Sequence, residues 1–317
     1  MTVAAPTPLI VTHAGLFHAD ELFGVTVLLD LYRAQRPRLA RVRRDQLAAK
    51  MERWRRDGRE VLACVDIGDR DDASDGAYDH HQRGFASARA SGLLYASFGL
   101  VWRAHGEAWV AQALGAGVAA AAVAATVDRI LVQTVDAGDT GATFFEVTPA
   151  GCREPVLPAT LSVLVGWRVP TSGTAADYDA AFRKSIPWAR QLLLGAAGAA
   201  HEEALAAAAV SSADDGGPVL VLGRPMNWLR HARPHHRFVI FPGDGETPWY
   251  LQTVPSSRGP QYPHAPLPSS WGGLRGSTLA EVTGVAGAVF CHLGCWIAGA
   301  QSREDAEQLA AIALSSR

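Results

Sequence analysis

The chain has 317 residues, 48% of them hydrophobic and 19% charged, with 29 basic and 31 acidic side chains giving a net charge of -2. That length accommodates two domains with separate cores, and the composition is that of a globular protein rather than a disordered or fibrous one. The near-neutral balance excludes a protein that coats polyanions through its overall charge, while leaving room for a locally basic groove.

In chain order, Pro8-Leu9-Ile10-Val11 is an apolar run opening into Thr12-His13, as expected of a buried strand. Leu22, Phe23, Val25, Leu28, Leu29 and Leu31 are spaced for a helix over 20–33. Arg41-Val42-Arg43-Arg44 reads as a second strand, and a short charged helix then runs to Arg56, closed by Asp57-Gly58. Residues 61–65 are continuously apolar, the pattern of a central parallel strand covered on both faces. This alternation predicts an α/β fold with a doubly wound parallel sheet. Helices are expected over 91–103, 107–133 and 175–210. Ser211-Ser212-Ala213-Asp214-Asp215-Gly216-Gly217 reads as a linker. Short strands follow at 219–222, 238–241, 249–254 and 288–290, then a helix over 302–314 capped by Ser302. The division is therefore 1–213, with a helical extension, and 214–317, a smaller α/β domain.

Cys64, Cys152, Cys291 and Cys295 are too few and too irregular for a disulfide scaffold. The Cys291/Cys295 spacing is read as strand packing, with metal ligation as the alternative. The first six residues lack a signal-peptide pattern, and 111–125 is too short and too weakly apolar for a membrane span. The expected setting is a reducing cytoplasm without membrane association.

Chemistry concentrates where apolar runs end. Asp79-His80-His81 follows the strand that ends in Asp66, with His13, His18 and Asp20 upstream and Asp136 and Asp139 downstream. Carboxylates and imidazoles are costly to gather unless a cation sits among them, and the strand ends of a parallel sheet collect them in one crevice. Each residue also has a plainer reading. Asp20 suits a helix cap, His13 and His18 suit hydrogen-bonded loop histidines, Asp66 a turn, and Asp136 a helix exit. Four separate segments carrying the same residue types favour a shared metal site, and the six candidate ligands His13, His18, Asp20, Asp66, His80 and Asp136 suit two ions better than one.

Together these segments resemble the DHH phosphoesterase superfamily, and within it the melanocyte-proliferating-gene (Myg) family of metal-dependent hydrolases. The resemblance rests on Thr12-His13-Ala14-Gly15-Leu16-Phe17-His18-Ala19-Asp20-Glu21, Val65-Asp66-Ile67-Gly68 and Tyr78-Asp79-His80-His81-Gln82-Arg83-Gly84-Phe85. It continues through Ser91-Gly92-Leu93, Val135-Asp136-Ala137-Gly138-Asp139-Thr140-Gly141, Trp271-Gly272-Gly273-Leu274-Arg275 and the segment from His292 to Gly299. Gly272 stands where the pattern has arginine, and Cys295 and Ala298 where it has glycines.

The resemblance implies a two-domain DHH-like fold and two divalent ions, manganese or magnesium. His13, His18 and Asp66 would hold one, and Asp20, Asp66, His80 and Asp136 the other, with Asp66 bridging. His81 would contact the scissile phosphate or protonate the leaving oxygen, with Asp79 orienting an imidazole. Arg83, Arg275, His292 and Gly299 would bind substrate, Arg275 through a two-point contact to phosphate; a solvated turn is the alternative for Arg275. The basic run from Arg33 to Arg59 could guide a strand of nucleic acid, and Trp228, Trp249 and Trp271 could stack bases, although a solvated helix face and core packing are the plainer readings.

The implied activity is a 3′–5′ exonuclease on RNA or short oligonucleotides. The alternatives are a phosphohydrolase of pyrophosphate, dinucleotides or nucleoside bisphosphates, and a non-catalytic metal- or nucleotide-binding regulator. A homodimer is compatible with the sequence.

Overall fold

Alternate residues of the first strand face two different cores. Ile10 packs with Phe23, Leu28, Val65, Phe98 and Val101, whereas Leu9 and Val11 pack with Val42 and Ile67 and are flanked by Leu47 and Trp54. A strand apolar on both faces must be covered on both, which is the layering of a doubly wound sheet.

The structure, a computed structural model, describes residues 6–142, 146–148, 151–153, 173–243, 245, 247–256, 259–263 and 265–316. The first five residues, on which the expectation of no leader partly rests, lie outside the described residues. So does most of 143–172.

The chain forms two compact units, Met1–His201 and Glu202–Arg317. In the first, β1 (Leu9–His13), α1 (Ala19–Leu31), β2 (Arg38–Val42), α2 (Leu47–Arg56) and β3 (Val61–Val65) alternate, followed by β4 (Asp71–Asp72) and β5 (Ala77–Tyr78). The sheet order is β2-β1-β3-β5-β4. β1, β2, β3 and β5 run parallel, and β4 is an antiparallel edge. β2 begins three residues before the expected strand and ends at Val42, which leaves Arg43 and Arg44 beyond its carboxyl end.

α3 (Ser97–Leu114) crosses the break expected near residue 105. Gly106 allows this, since a Cβ there would lie 2.7 Å from the Trp102 ring. The helix stops instead at Gly115, which has φ 86°, a conformation costly for any other residue. α4 (Ala120–Val127) follows, then a π-helical turn over Asp128–Val132 and α5 (Gln133–Thr140). An insertion of this kind within a helical run is frequently found near functional side chains. β6 (Glu146–Thr148) and β7 (Gly151–Arg153) form a small antiparallel pair.

α6 (Ala175–Ala213) supplies Phe182, Ala189, Leu193 and Ala197 to the first core. This helix ends at Ala213, where the division was expected from sequence, whereas the two units divide within it, after His201. In the second unit, β8 (Val219–Val221), β9 (Phe238–Pro242), β10 (Trp249–Thr253), β13 (Ala288–Cys291) and β14 (Ile297–Ala300) form a sheet ordered β13-β14-β10-β9-β8. β11 (Pro255–Ser256) and β12 (Gly259–Pro263) pair separately. α7 (Gly276–Thr283) and α8 (Arg303–Ser315) supply Leu279, Ala306, Leu309 and Ala310 to its core. Ser302 caps α8 by accepting from the Asp305 amide at 3.0 Å. Among the described residues, no helix is long and apolar enough to cross a membrane.

Candidate metal centre

The carboxyl ends of β1, β3 and β5 deliver His13, Asp66 and the Asp79-His80-His81 segment to one edge of the first unit's sheet, the place where open α/β sheets gather ligands. Asp66 has φ 55° and Gly68 φ 111°, so β3 ends abruptly. Its side chain lies between two imidazoles, with Oδ2 3.1 Å from His13 Nε2 and Oδ1 3.0 Å from His81 Nδ1.

The loop after β1 brings in the next group. The His18 amide donates to both carboxylate oxygens of Glu21, at 3.1 and 3.0 Å, a helix-start arrangement that also turns Glu21 toward His13. Glu21 Oε1 lies 2.9 Å from His13 Nε2. His13, His18, Glu21 and Asp66 thus present ligand atoms within 4.8 Å of one another. Asp20, placed by sequence as a ligand or a cap of its own helix, does not cap that helix but accepts from the amides opening α3, Phe98 at 2.6 Å and Ser97 at 3.1 Å. It also groups with His80 and Asp139. His80 Nε2 is 3.1 Å from Asp139, and His80 Nδ1 is 3.1 Å from the Ser97 hydroxyl, which in turn donates to Asp66 Oδ1 at 3.3 Å.

Asp136 stands apart from these groups. Its Oδ1 accepts from the Gly99 amide at 3.0 Å and its Oδ2 lies 2.7 Å from Arg89 Nη1. Arg89 also makes a two-point pair with Asp128, at 3.1 and 2.7 Å. Asp136 and Asp139 are one helical turn apart on α5, and it is Asp139 that the structure brings to His80. Glu21 and Ser97 are therefore additions to the set reasoned from sequence, and Asp139, named there beside Asp136 without a ligand role, joins them. The Asp79 carboxylate accepts from the Asp69 amide at 2.8 Å and the His81 amide at 3.2 Å, and its Oδ1 is 2.8 Å from His81 Nδ1.

The charge here is poorly balanced by protein alone. Asp20, Glu21, Asp66, Asp79 and Asp136 are all at most 3% exposed. Burial, with Asp139, Asp66 and Asp136 nearby, pushes the Asp20 carboxyl well above the carboxylate range. Burial likewise raises Asp136 to about 7, against the opposing pull of Arg89. Burial alone would lower His13, but the Asp66 and Glu21 carboxylates beside its ring outweigh it and raise the imidazole to about 10. His80 is raised, burial being overcome by Asp139. Asp79 moves the other way: burial would raise it, but the donors on its oxygens hold it below the usual range.

His13 Nε2 is buried and close to two carboxylates without hydrogen-bond geometry to either. An imidazole nitrogen and carboxylates converging without satisfying one another fit a shared divalent cation, and the oxygen–nitrogen donor set suits manganese or magnesium. His13, His18, Glu21 and Asp66 form one group able to hold an ion, and Asp20, His80 and Asp139 form another.

The remaining candidates are placed as follows. Arg83 is exposed beside the Asp79-His80-His81 segment. In the second unit Arg275 is exposed, with its guanidinium 5.5 Å from the centre of the Phe290 ring. His292 is exposed and its Nδ1 accepts from the Gly294 amide at 3.0 Å. Gly299 is buried in β14, where a Cβ would lie 2.6 Å from Thr247 and 2.7 Å from Phe290, so packing demands a glycine there. Trp228 and Trp271 are core residues, and Trp249 is half-buried.

The model of the MYG1_exonuc family, described as an uncharacterised protein family (UPF0160), matches residues 9–314. The human protein named MYG1 exonuclease is 29% identical over 98% of this chain and 86% of its own length. A MYG1 protein of Caenorhabditis elegans is 26% identical over 97% of this chain and 95% of its own. A MYG1 protein of Chlamydia trachomatis is 23% identical over 96% of each. Among solved structures, exonuclease RecJ bound to manganese aligns over 98% of this chain and 90% of its own, at 14% identity and a TM-score of 0.27. With the match running from β1 to the last helix, the chain belongs to the MYG1_exonuc family.

Proposed function

We propose that this chain is a divalent-metal-dependent phosphodiesterase, and more specifically a 3′–5′ exonuclease that releases nucleotides from RNA or short oligonucleotides. The observation that carries the reading is the position of Asp66, one carboxylate shared by the histidine groups on either side of it. The human relative's name, MYG1 exonuclease, supports the same class of reaction.

Divalent ions at this centre would supply Lewis-acid stabilisation of the phosphate oxygens and a more acidic water. The chain's own residues do the rest. The Asp79 carboxylate, held ionised by the Asp69 and His81 amides, keeps the His81 imidazole with its Nδ1 toward Asp79. That fixes Nε2 as the position from which His81 gives a proton to, or takes one from, a substrate oxygen. The Ser97 hydroxyl joins His80 to Asp66 and limits the rotation of both.

The test is hydrolysis of an oligoribonucleotide labelled at either end, with manganese, with magnesium and with chelator. Stepwise shortening from the 3′ end that requires metal, and its loss in Asp66→Asn, are expected. Degradation from the 5′ end, or equal turnover with chelator, would refute the exonuclease reading as stated.

A further inference from the structure

The four ligand-type residues Asp66, Asp79, His80 and His81 form a group that could by itself be taken for another cation site. One side of it already holds a positive charge. Arg44, just beyond β2, donates from Nη2 to the Asp66 carbonyl at 2.9 Å and from Nη1 to Asp79 Oδ2 at 3.4 Å. The same Nη2 is 3.3 Å from His81 Nδ1 and 3.7 Å from Asp66 Oδ1. A divalent ion seated among these atoms would face the guanidinium at close range, so this side of the cluster is built for the opposite charge.

From this we infer that Arg44 binds a phosphate oxygen of the substrate beside the metal centre, as partner of His81. The inference rests on the phosphodiesterase reading for its substrate but not for its chemistry. At most three of the five guanidinium N–H donors are committed to the contacts above, and the side chain is 44% exposed, so donors remain for an incoming anion. Its mooring to the Asp66 carbonyl and to Asp79 removes much of the freedom an exposed arginine would otherwise lose on binding. Asp79 therefore braces two groups, Arg44 through Oδ2 and His81 through Oδ1. Asp66 stands between Arg44 and His13, so a phosphate held by Arg44 lies one carboxylate's width from the metal centre. Planar, two-point donation to phosphate is what guanidinium does best and what an ammonium cannot copy.

The rival role is structural, in which Arg44 only neutralises Asp79. The two separate in a titration of inorganic phosphate into the full-length manganese-loaded protein, comparing wild type, Arg44→Lys and Arg44→Gln. Phosphate affinity should fall about tenfold or more in Arg44→Gln and by a smaller factor in Arg44→Lys, with manganese affinity unchanged and guanidinium ion restoring part of the loss. Unchanged phosphate affinity in a folded Arg44→Gln protein, or no phosphate binding by wild type at millimolar concentration, overturns the inference. Should Arg44→Gln not fold, equal affinities of Arg44→Lys and wild type overturn it as well. The titration needs no turnover, so the two claims fail separately. Loss of phosphate binding in a protein that hydrolyses no oligonucleotide removes the phosphodiesterase reading and leaves Arg44 in place. Normal hydrolysis with phosphate affinity and KM untouched in Arg44→Gln removes Arg44 alone.

Discussion

Gly99 gives its backbone amide to Asp136 at 3.0 Å, and the space a side chain would take at Gly99 is filled by the Asp136 carboxylate. The first turn of α3 and the middle of α5 are therefore locked together through a position that admits no Cβ. Asp20 binds the same turn of α3 through the Ser97 and Phe98 amides. The consequence is that α3 sets the geometry of carboxylates on two other helices.

Gly99→Ala should therefore destabilise the protein by about 1–3 kcal/mol, the usual cost of forcing an extra carbon into a filled site. It should also weaken metal binding, because the displaced carboxylate adjoins the Asp20 group. Thermal melting with and without manganese checks both. A melting temperature equal to wild type would show that Asp136 can move aside freely.

The two carboxylates of α5 should behave differently. Asp139→Asn removes a group 3.1 Å from His80 and should lower manganese affinity roughly tenfold or more. Asp136→Asn leaves Arg89 beside Asp128 and should act mainly on stability. Manganese titrations of both variants decide between them, and a larger affinity loss in Asp136→Asn would reverse the assignment.

Much of this was legible in the sequence because apolar runs and their ends are local signals. The β1 and β3 runs and the polar residues closing them mark the sheet edge directly. Asp136 and Asp139 were less separable: three residues apart on one helix, they are distinguished by which one meets His80, a contact made across some 59 positions of chain. Glu21 reads locally as the acid of a helix-start pair, which it also is, and nothing nearby in sequence shows its second contact with His13. Arg44 was hidden in a run of basic residues, most of which face solvent. The sequence pattern placed a break near residue 105, whereas α3 runs through Gly106, where the Trp102 ring fills the space of a side chain.

Stability without metal should fall as pH rises. Asp136 has a folded-state pKa of about 7, above its ordinary value of 3.8, so its contribution is fully present below about pH 4 and is lost by about pH 7. His13 is raised from 6.5 to about 10, and its contribution is retained at neutral pH and lost as pH rises toward 10. Chelator-treated protein should thus melt at progressively lower temperature between pH 4 and 10, with Asp136→Asn flattening the lower part of that slope. Added manganese should raise the melting temperature most at the alkaline end, where proton competition for His13 is least. A chelated protein that gains stability over the same range would contradict this electrostatic picture.

The central proposal is that two divalent ions bind at this edge of the first unit's sheet, one on each of the two donor groups. Anomalous diffraction from crystals grown with manganese measures this most directly. The account predicts two peaks, about 3.5–4 Å apart as in two-metal phosphoryl-transfer sites, one beside His13, His18, Glu21 and Asp66 and the other beside Asp20, His80 and Asp139. A single peak, or none at millimolar manganese, would contradict it.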